Sequence, residues 1–257
     1  MGNWKFASAA LSLAIAVWVL PASAQDKWYF SGLQWQRPPV VDPGAPGGQP
    51  SDAVVLFNGK DLSAWEDAES WRVEDGVTIN GGGSIHTRQP FGDAQFHVEW
   101  MVPPAPNEHG QDRGNSGLYI MGLYEVQILD SYENETYFDG QAGSIYKQFP
   151  PLVNAMRPPN EWNIFDIAFT APRFNEDGTL KSPAYVTLFH NGVLVQNHVE
   201  LVGGTRSDLI PAYRPHPEKL PLYIQDHGNP VRFRNLWARE FKPLTSERIH
   251  EPLLREE

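Results

Sequence analysis

The chain has 257 residues, no cysteine, and 20 Lys+Arg against 31 Asp+Glu, for a net charge of −11. That balance disfavours nucleic acid and anionic membrane surfaces as partners, and the missing thiols exclude a disulfide scaffold and a lipoprotein, so an ordinary apolar core must hold the fold. Nine Trp, nine Tyr, 22 Gly and 23 Pro suit short strands, tight turns and aromatic surfaces on which a sugar ring can stack.

Residues 1–24 read as an export signal, with Lys5 ahead of an apolar run over 6–20 and the small-residue cleavage site Ala22-Ser23-Ala24. The apolar run is short for a bilayer span, so a periplasmic or secreted mature chain beginning at Gln25, without a membrane span, is expected. Residues 25–51 form an N-terminal extension. Its aromatic part, with Trp28, Tyr29, Phe30 and Trp35, is expected to dock on the domain or a partner, and its Pro/Gly-rich part over 36–51 is expected to be an extended linker. The folded domain is expected over 52–245, with a tail at 246–257.

From Val54 short alternating runs predict strands over 54–57, 71–73, 77–79, 95–102, 116–121 and 124–129. Further strands are predicted over 162–170, 184–190, 193–198, 222–225 and 232–241. Asn191-Gly192 and Asp75-Gly76 are hairpin signals, because both pairs accept the positive φ angles of a type I′ turn. No stretch keeps a 3.6-residue apolar period, so the fold class is all-β, an antiparallel β-sandwich. Two long polar inserts, 103–113 and 201–220, are candidate walls of a cleft.

Within this pattern, Tyr124, Val126 and Ile128 share one strand face and Glu125 and Gln127 the other. Leu222 and Ile224 likewise oppose Tyr223, Gln225 and His227. Glu125 and His227 are therefore the leading candidate acid and base. Asp226 is a candidate to fix the imidazole if the backbone bends at Gly228. Arg234, on a strand that alternates charged and apolar residues, and Lys147, displayed after a turn, are candidate cations. Asn115, at the start of a strand, is a candidate for the cleft edge. The strand that begins Glu125-x-Gln127-x-x-Asp130 has an amide where laminarinase-like glycosidases place a carboxylate, so a two-carboxylate displacement does not fit.

Taken in order, Val55-Leu56-Phe57-Asn58-Gly59-Lys60-Asp61-Leu62, Trp71-Arg72-Val73-Glu74-Asp75-Gly76, Asn115-Ser116-Gly117 and Tyr124-Glu125-Val126-Gln127-Ile128 begin a recognisable series. It continues through Pro158-Pro159-Asn160-Glu161-Trp162-Asn163, Gln225-Asp226-His227-Gly228 and Phe233-Arg234-Asn235. The series resembles the 3-keto-disaccharide hydrolase domain family. Two departures stand out, the 201–220 insert and Asn160 where the family usually has Gly.

The resemblance implies a jelly roll of the concanavalin A-like lectin and glucanase type. It also implies an exported enzyme acting on a 3-keto-glucoside or 3-keto-disaccharide. Its implied chemistry is removal of the C2 proton, elimination of the C1 leaving group and, optionally, rehydration. Glu125 or His227 would be the base, the other would serve the leaving group, and Arg234 or Lys147 would face the enolate. Asn115, Gln127, Asp130, Gln225, Asp226 and Asn235 would orient substrate or side chains. A divalent metal held by Glu125, Asp130 and His227 is an alternative to the cation, and a non-catalytic sugar-binding module is the alternative to an enzyme.

Overall fold

A computed structural model describes residues 31–249. The expected export signal and the aromatics Trp28, Tyr29 and Phe30 lie outside the described residues. Seventeen strands follow in chain order: β1 Leu33–Trp35, β2 Val54–Phe57, β3 Trp65–Glu66, β4 Arg72–Glu74, β5 Val77–Ile79, β6 Ile85–Phe91, β7 Ala94–Met101, β8 Ser116–Ile120 and β9 Tyr124–Ile128. The rest are β10 Asn163–Thr170, β11 Arg173–Phe174, β12 Leu180–Ser182, β13 Tyr185–His190, β14 Val193–Glu200, β15 Leu220–Ile224, β16 Arg232–Glu240 and β17 Ser246–Arg248. No described residue is in an α-helix, and none of the described helices is long and apolar enough to cross a membrane.

The chain divides into two compact units. The larger, Val40–Lys242, holds an eight-stranded sheet in the order β14-β13-β10-β7-β16-β5-β4, with β2 also on β16, and a five-stranded sheet in the order β3-β6-β15-β8-β9. All pairings are antiparallel. The period-2 pattern decides what each sheet buries. Phe96, Val98 and Trp100 of β7 and Phe165, Ile167 and Phe169 of β10 share one apolar cluster with Leu118, Ile120, Tyr124, Val126 and Ile128 of β8 and β9. The class is therefore the expected antiparallel sandwich, whose two inner faces interdigitate. The second unit is formed by the flanking segments, of which 31–39 and 243–249 are described, and in it β1 pairs with β17. The expected C-terminal tail thus contributes a strand.

Both predicted hairpins form, with φ of 53° and 79° at Asn191 and Gly192 and of 51° and 79° at Asp75 and Gly76. Asn160 has φ of 66°, the left-handed region that Gly enters freely and Asn more readily than most residues. The departure from the family's Gly therefore preserves the turn.

Candidate active site

Cross-strand register builds a row of side chains over the outer face of the five-stranded sheet. Glu66 of β3 faces His86 of β6, which faces Tyr223 of β15, then Tyr119 of β8, then Glu125 of β9. In the next row Gln127 faces Gly117, whose carbonyl accepts the Gln225 N–H. At the β9 end a cavity of about 340 Å³ opens, lined by Glu125, Gln127, Asn115, Tyr119, Gln225 and His227. The structure thus brings Glu125 and His227 into one cavity. Tyr146 closes one side, and Thr205, Arg206, Ser207 and Asp208 of the 201–220 insert close another.

Glu125 is buried, with 2% of its surface exposed, and its Oε2 has no hydrogen-bond partner. Burial disfavours the ionised form and lifts its pKa to about 7, against a lowering by the hydrogen bond from Tyr119. Space for the carboxyl exists because residue 117 is glycine: a Cβ there would lie 2.5 Å from Glu125 Oε1. The backbone is held on both sides, since Glu125 N–H donates to Thr205 Oγ1 at 3.0 Å and Tyr146 N–H donates to the Glu125 carbonyl at 3.2 Å. A carboxyl with a free oxygen and a proton affinity near neutral pH suits proton transfer.

Gln127 is also buried. In one orientation its amide donates to Gln111 Oε1 at 3.0 Å, and turned over it donates to Ser116 O at 3.1 Å and Glu125 Oε1 at 3.2 Å. Asn115 Nδ2 donates to the Gln111 carbonyl at 2.7 Å, which fixes the amide at the cavity wall. His227 is exposed at the rim.

Five sequence-predicted residues have other tasks. Asp226 does not hold the imidazole: its carboxylate accepts Gly228 N–H at 3.0 Å, Gly83 N–H at 2.9 Å and Asn80 Nδ2 at 3.3 Å, so it fixes the loop that carries His227. Asp130, fully buried beyond the end of β9, pairs with Arg113 Nε at 2.7 Å. Arg234 and Asn235 sit on the other sheet, on the face away from the core. There Arg234 Nε donates to Glu99 at 2.6 Å and its guanidinium covers the Trp162 ring at 4.0 Å. A register shift between Arg234 and Trp237, with φ of 46° at Asn235, turns Asn235 to the same face, where it donates to Glu99 Oε1 at 2.7 Å and the Gly47 carbonyl at 2.6 Å. Lys147 lays its ammonium 3.3 Å over the Tyr137 ring, and the Tyr137 hydroxyl meets that of Tyr146 at 2.7 Å, so Lys147 braces the wall from outside. With Asp130 spent on Arg113, Glu125, Asp130 and His227 do not fit a metal, and no group of three His, Asp or Glu among the described residues has metal-holding geometry.

The family model of the 3-keto-alpha-glucoside-1,2-lyase-like domain matches residues 52–239. The chain belongs to the 3-keto-alpha-glucoside-1,2-lyase-like domain family. It is similar to a solved protein of Parabacteroides distasonis ATCC 8503 described as a "putative glycosyl hydrolase", at 49% identity over 80% of this chain and 93% of that one, with a TM-score of 0.77. A second solved protein of that organism with the same description is 22% identical over 74% and 94% of the two chains, with a TM-score of 0.56, and shares the fold. No curated protein matches the chain.

Within this lyase-like domain the 201–220 insert walls the cavity, as its length and polarity lead one to expect, through Thr205, Arg206, Ser207 and Asp208. Arg206 of that insert lines the cavity, and Arg234 and Lys147 do not. Tyr119, the partner of Glu125, was also missed. Its strand was legible, but the register that sets it opposite Glu125 was not.

Proposed function

We propose that this protein is an exported carbohydrate-active enzyme that cleaves 3-keto-glycosides by elimination, with Glu125 as the base. A ketone at C3 acidifies the C2 proton. Glu125 takes that proton, the C2–H electron pair becomes the enolate C2=C3, and the enolate then expels the C1 oxygen, which accepts a proton from His227. The products are a 2-hydroxy-3-ketoglycal and the free alcohol, and water adding across the glycal double bond completes a net hydrolysis. Arg206 supplies positive charge for the enolate oxygen, and Asn115, Gln127 and Gln225 meet sugar hydroxyls.

The observation that carries this reading is Glu125 itself. It is a single buried carboxyl with an unpartnered oxygen and a pKa of about 7, facing a sugar-sized cavity without a second buried carboxylate to act as nucleophile. Such a group is matched to abstracting an acidified C–H proton near neutral pH.

The test incubates purified protein with 3-keto-glucosides and with their unoxidised parents and follows aglycone release. Release from the keto sugars alone, lost in Glu125→Gln, is expected. Release from the parent glucosides alone would sink the mechanism, and affinity without any turnover would make the chain a sugar-binding module.

A further inference from the structure

A second compartment of about 220 Å³ adjoins the Glu125 cavity and shares Tyr119, Thr205 and Arg206 with it. Leu123 and Tyr124 line it together with Ala212 and Arg214 of the insert, with His216 as a further wall. The chain carries 31 Asp+Glu, yet none of the residues lining this compartment is acidic, and two are arginines. Among the described residues neither Arg206 nor Arg214 lies within 4.0 Å of a carboxylate, whereas Arg113, Arg173, Arg234 and Arg239 each hold one.

The compartment is built rather than left over. Gly204 N–H donates to the Ala212 carbonyl at 3.2 Å and Thr205 N–H to the Leu123 carbonyl at 2.8 Å, so the insert is closed on itself and tied to the turn before β9. Gly203 has φ of 147° and packs against the Ala212 backbone where a side chain would collide. His216 is locked: its Nδ1 donates to the Pro217 carbonyl at 2.7 Å and its Nε2 accepts from the Tyr124 hydroxyl at 2.9 Å. That leaves the guanidinium of Arg214, with Arg206 at the junction, as the charge offered to a ligand.

We propose that this compartment is the leaving-group subsite and that it takes an anionic substituent, a carboxylate or a sulfonate or sulfate, on Arg214. The proposal rests on the reading of the Glu125 cavity as the seat of the reacting sugar. A substrate seated there extends its C1 substituent past Thr205 and Arg206 into the second compartment. A planar guanidinium pairs with a carboxylate or sulfate through two parallel hydrogen bonds, a geometry that a neutral aglycone cannot use.

Wild type and Arg214→Gln are compared on three 3-keto-glucosides whose phenyl leaving group carries a para carboxylate, a para sulfonate or a para carboxamide. The expected result is a kcat/KM about tenfold to a hundredfold higher for an anionic member than for the carboxamide. That advantage shrinks as salt is raised and is lost in Arg214→Gln. Preference for carboxylate alone points to a uronic acid-like group, and preference for sulfonate alone to a sulfated one. Equal kcat/KM on all three, or an advantage that Arg214→Gln retains, overturns the proposal. Calorimetric binding of the unoxidised carboxylate and carboxamide glucosides to both proteins decides it independently of turnover. If nothing turns over but the carboxylate binds more tightly only to wild type, the chemistry fails and the subsite stands. Equal affinities remove the subsite.

Discussion

Ionising Glu125 puts a charge where water scarcely reaches, so its deprotonation works against folding. With the folded pKa raised from 4.5 to about 7, the folded chain keeps a proton that the unfolded chain releases between those values. Stability therefore falls as pH rises through that window, and above it the charge costs on the order of 1–3 kcal/mol. Glu125→Gln is neutral throughout and is expected to raise Tm above pH 7, with the gain vanishing below pH 4.5. Thermal scans at both ends check this, and a lower Tm for the variant at the alkaline end would contradict it. Tyr119 acts in the opposite sense, because its hydrogen bond favours the carboxylate. In Tyr119→Phe the ascending limb of kcat/KM against pH, expected near 7 in wild type, should move up by roughly 0.5–1 unit. A limb that stays in place would show that Tyr119 only fills space.

Among the elements, β9 was legible because Tyr124, Val126 and Ile128 alternate with polar residues, and the two hairpins were legible because Asn-Gly and Asp-Gly leave few other conformations. β6 was not. Gly81-Gly82-Gly83 precedes it and Arg88-Gln89-Pro90 interrupts its apolar face, so only pairing with β15 and β3 reveals it. Asp130 was misread for a related reason. The Glu125-x-Gln127-x-x-Asp130 spacing groups it with the polar residues, but alternation puts it on the face of Tyr124, Val126 and Ile128; the strand ends at Ile128 and the carboxylate pairs with Arg113. Losing one partner of such a pair strands a buried charge. Asp130→Asn should therefore cost about 3–5 kcal/mol, read by urea denaturation, and a cost near zero would mean that the pair is solvated.

Across the whole molecule the two outer faces divide the work. Sequence alternation shows that Glu125 and Arg234 both point away from the core, but not that their strands belong to different sheets. Arg234→Gln should therefore leave kcat/KM unchanged. The face that Arg234 occupies holds the linker, through Asn235 and Gly47, over a network of His97, Asp166 and Glu99. Burial alone would lower the His97 pKa, but hydrogen bonds from the imidazolium to Asp166 and Glu99 outweigh it and raise it to about 9. The stabilisation is complete below the ordinary value of 6.5 and is lost as pH rises through 9. Stability should fall between these two values, and His97→Gln should flatten that part of the profile. An unchanged slope in the variant would assign the loss to another group.

Burial raises the proton affinity of Glu125, and Tyr146 and residues 205–208, remote from it in sequence, line the cavity that its carboxyl faces. Loop length then becomes an evolutionary dial for proton affinity. Shortening the 201–220 segment is expected to wet the carboxyl and return it toward an ordinary glutamate while every residue of the strand stays the same. Divergence in working pH can therefore arise in this lineage without a single change in the residues that carry the chemistry.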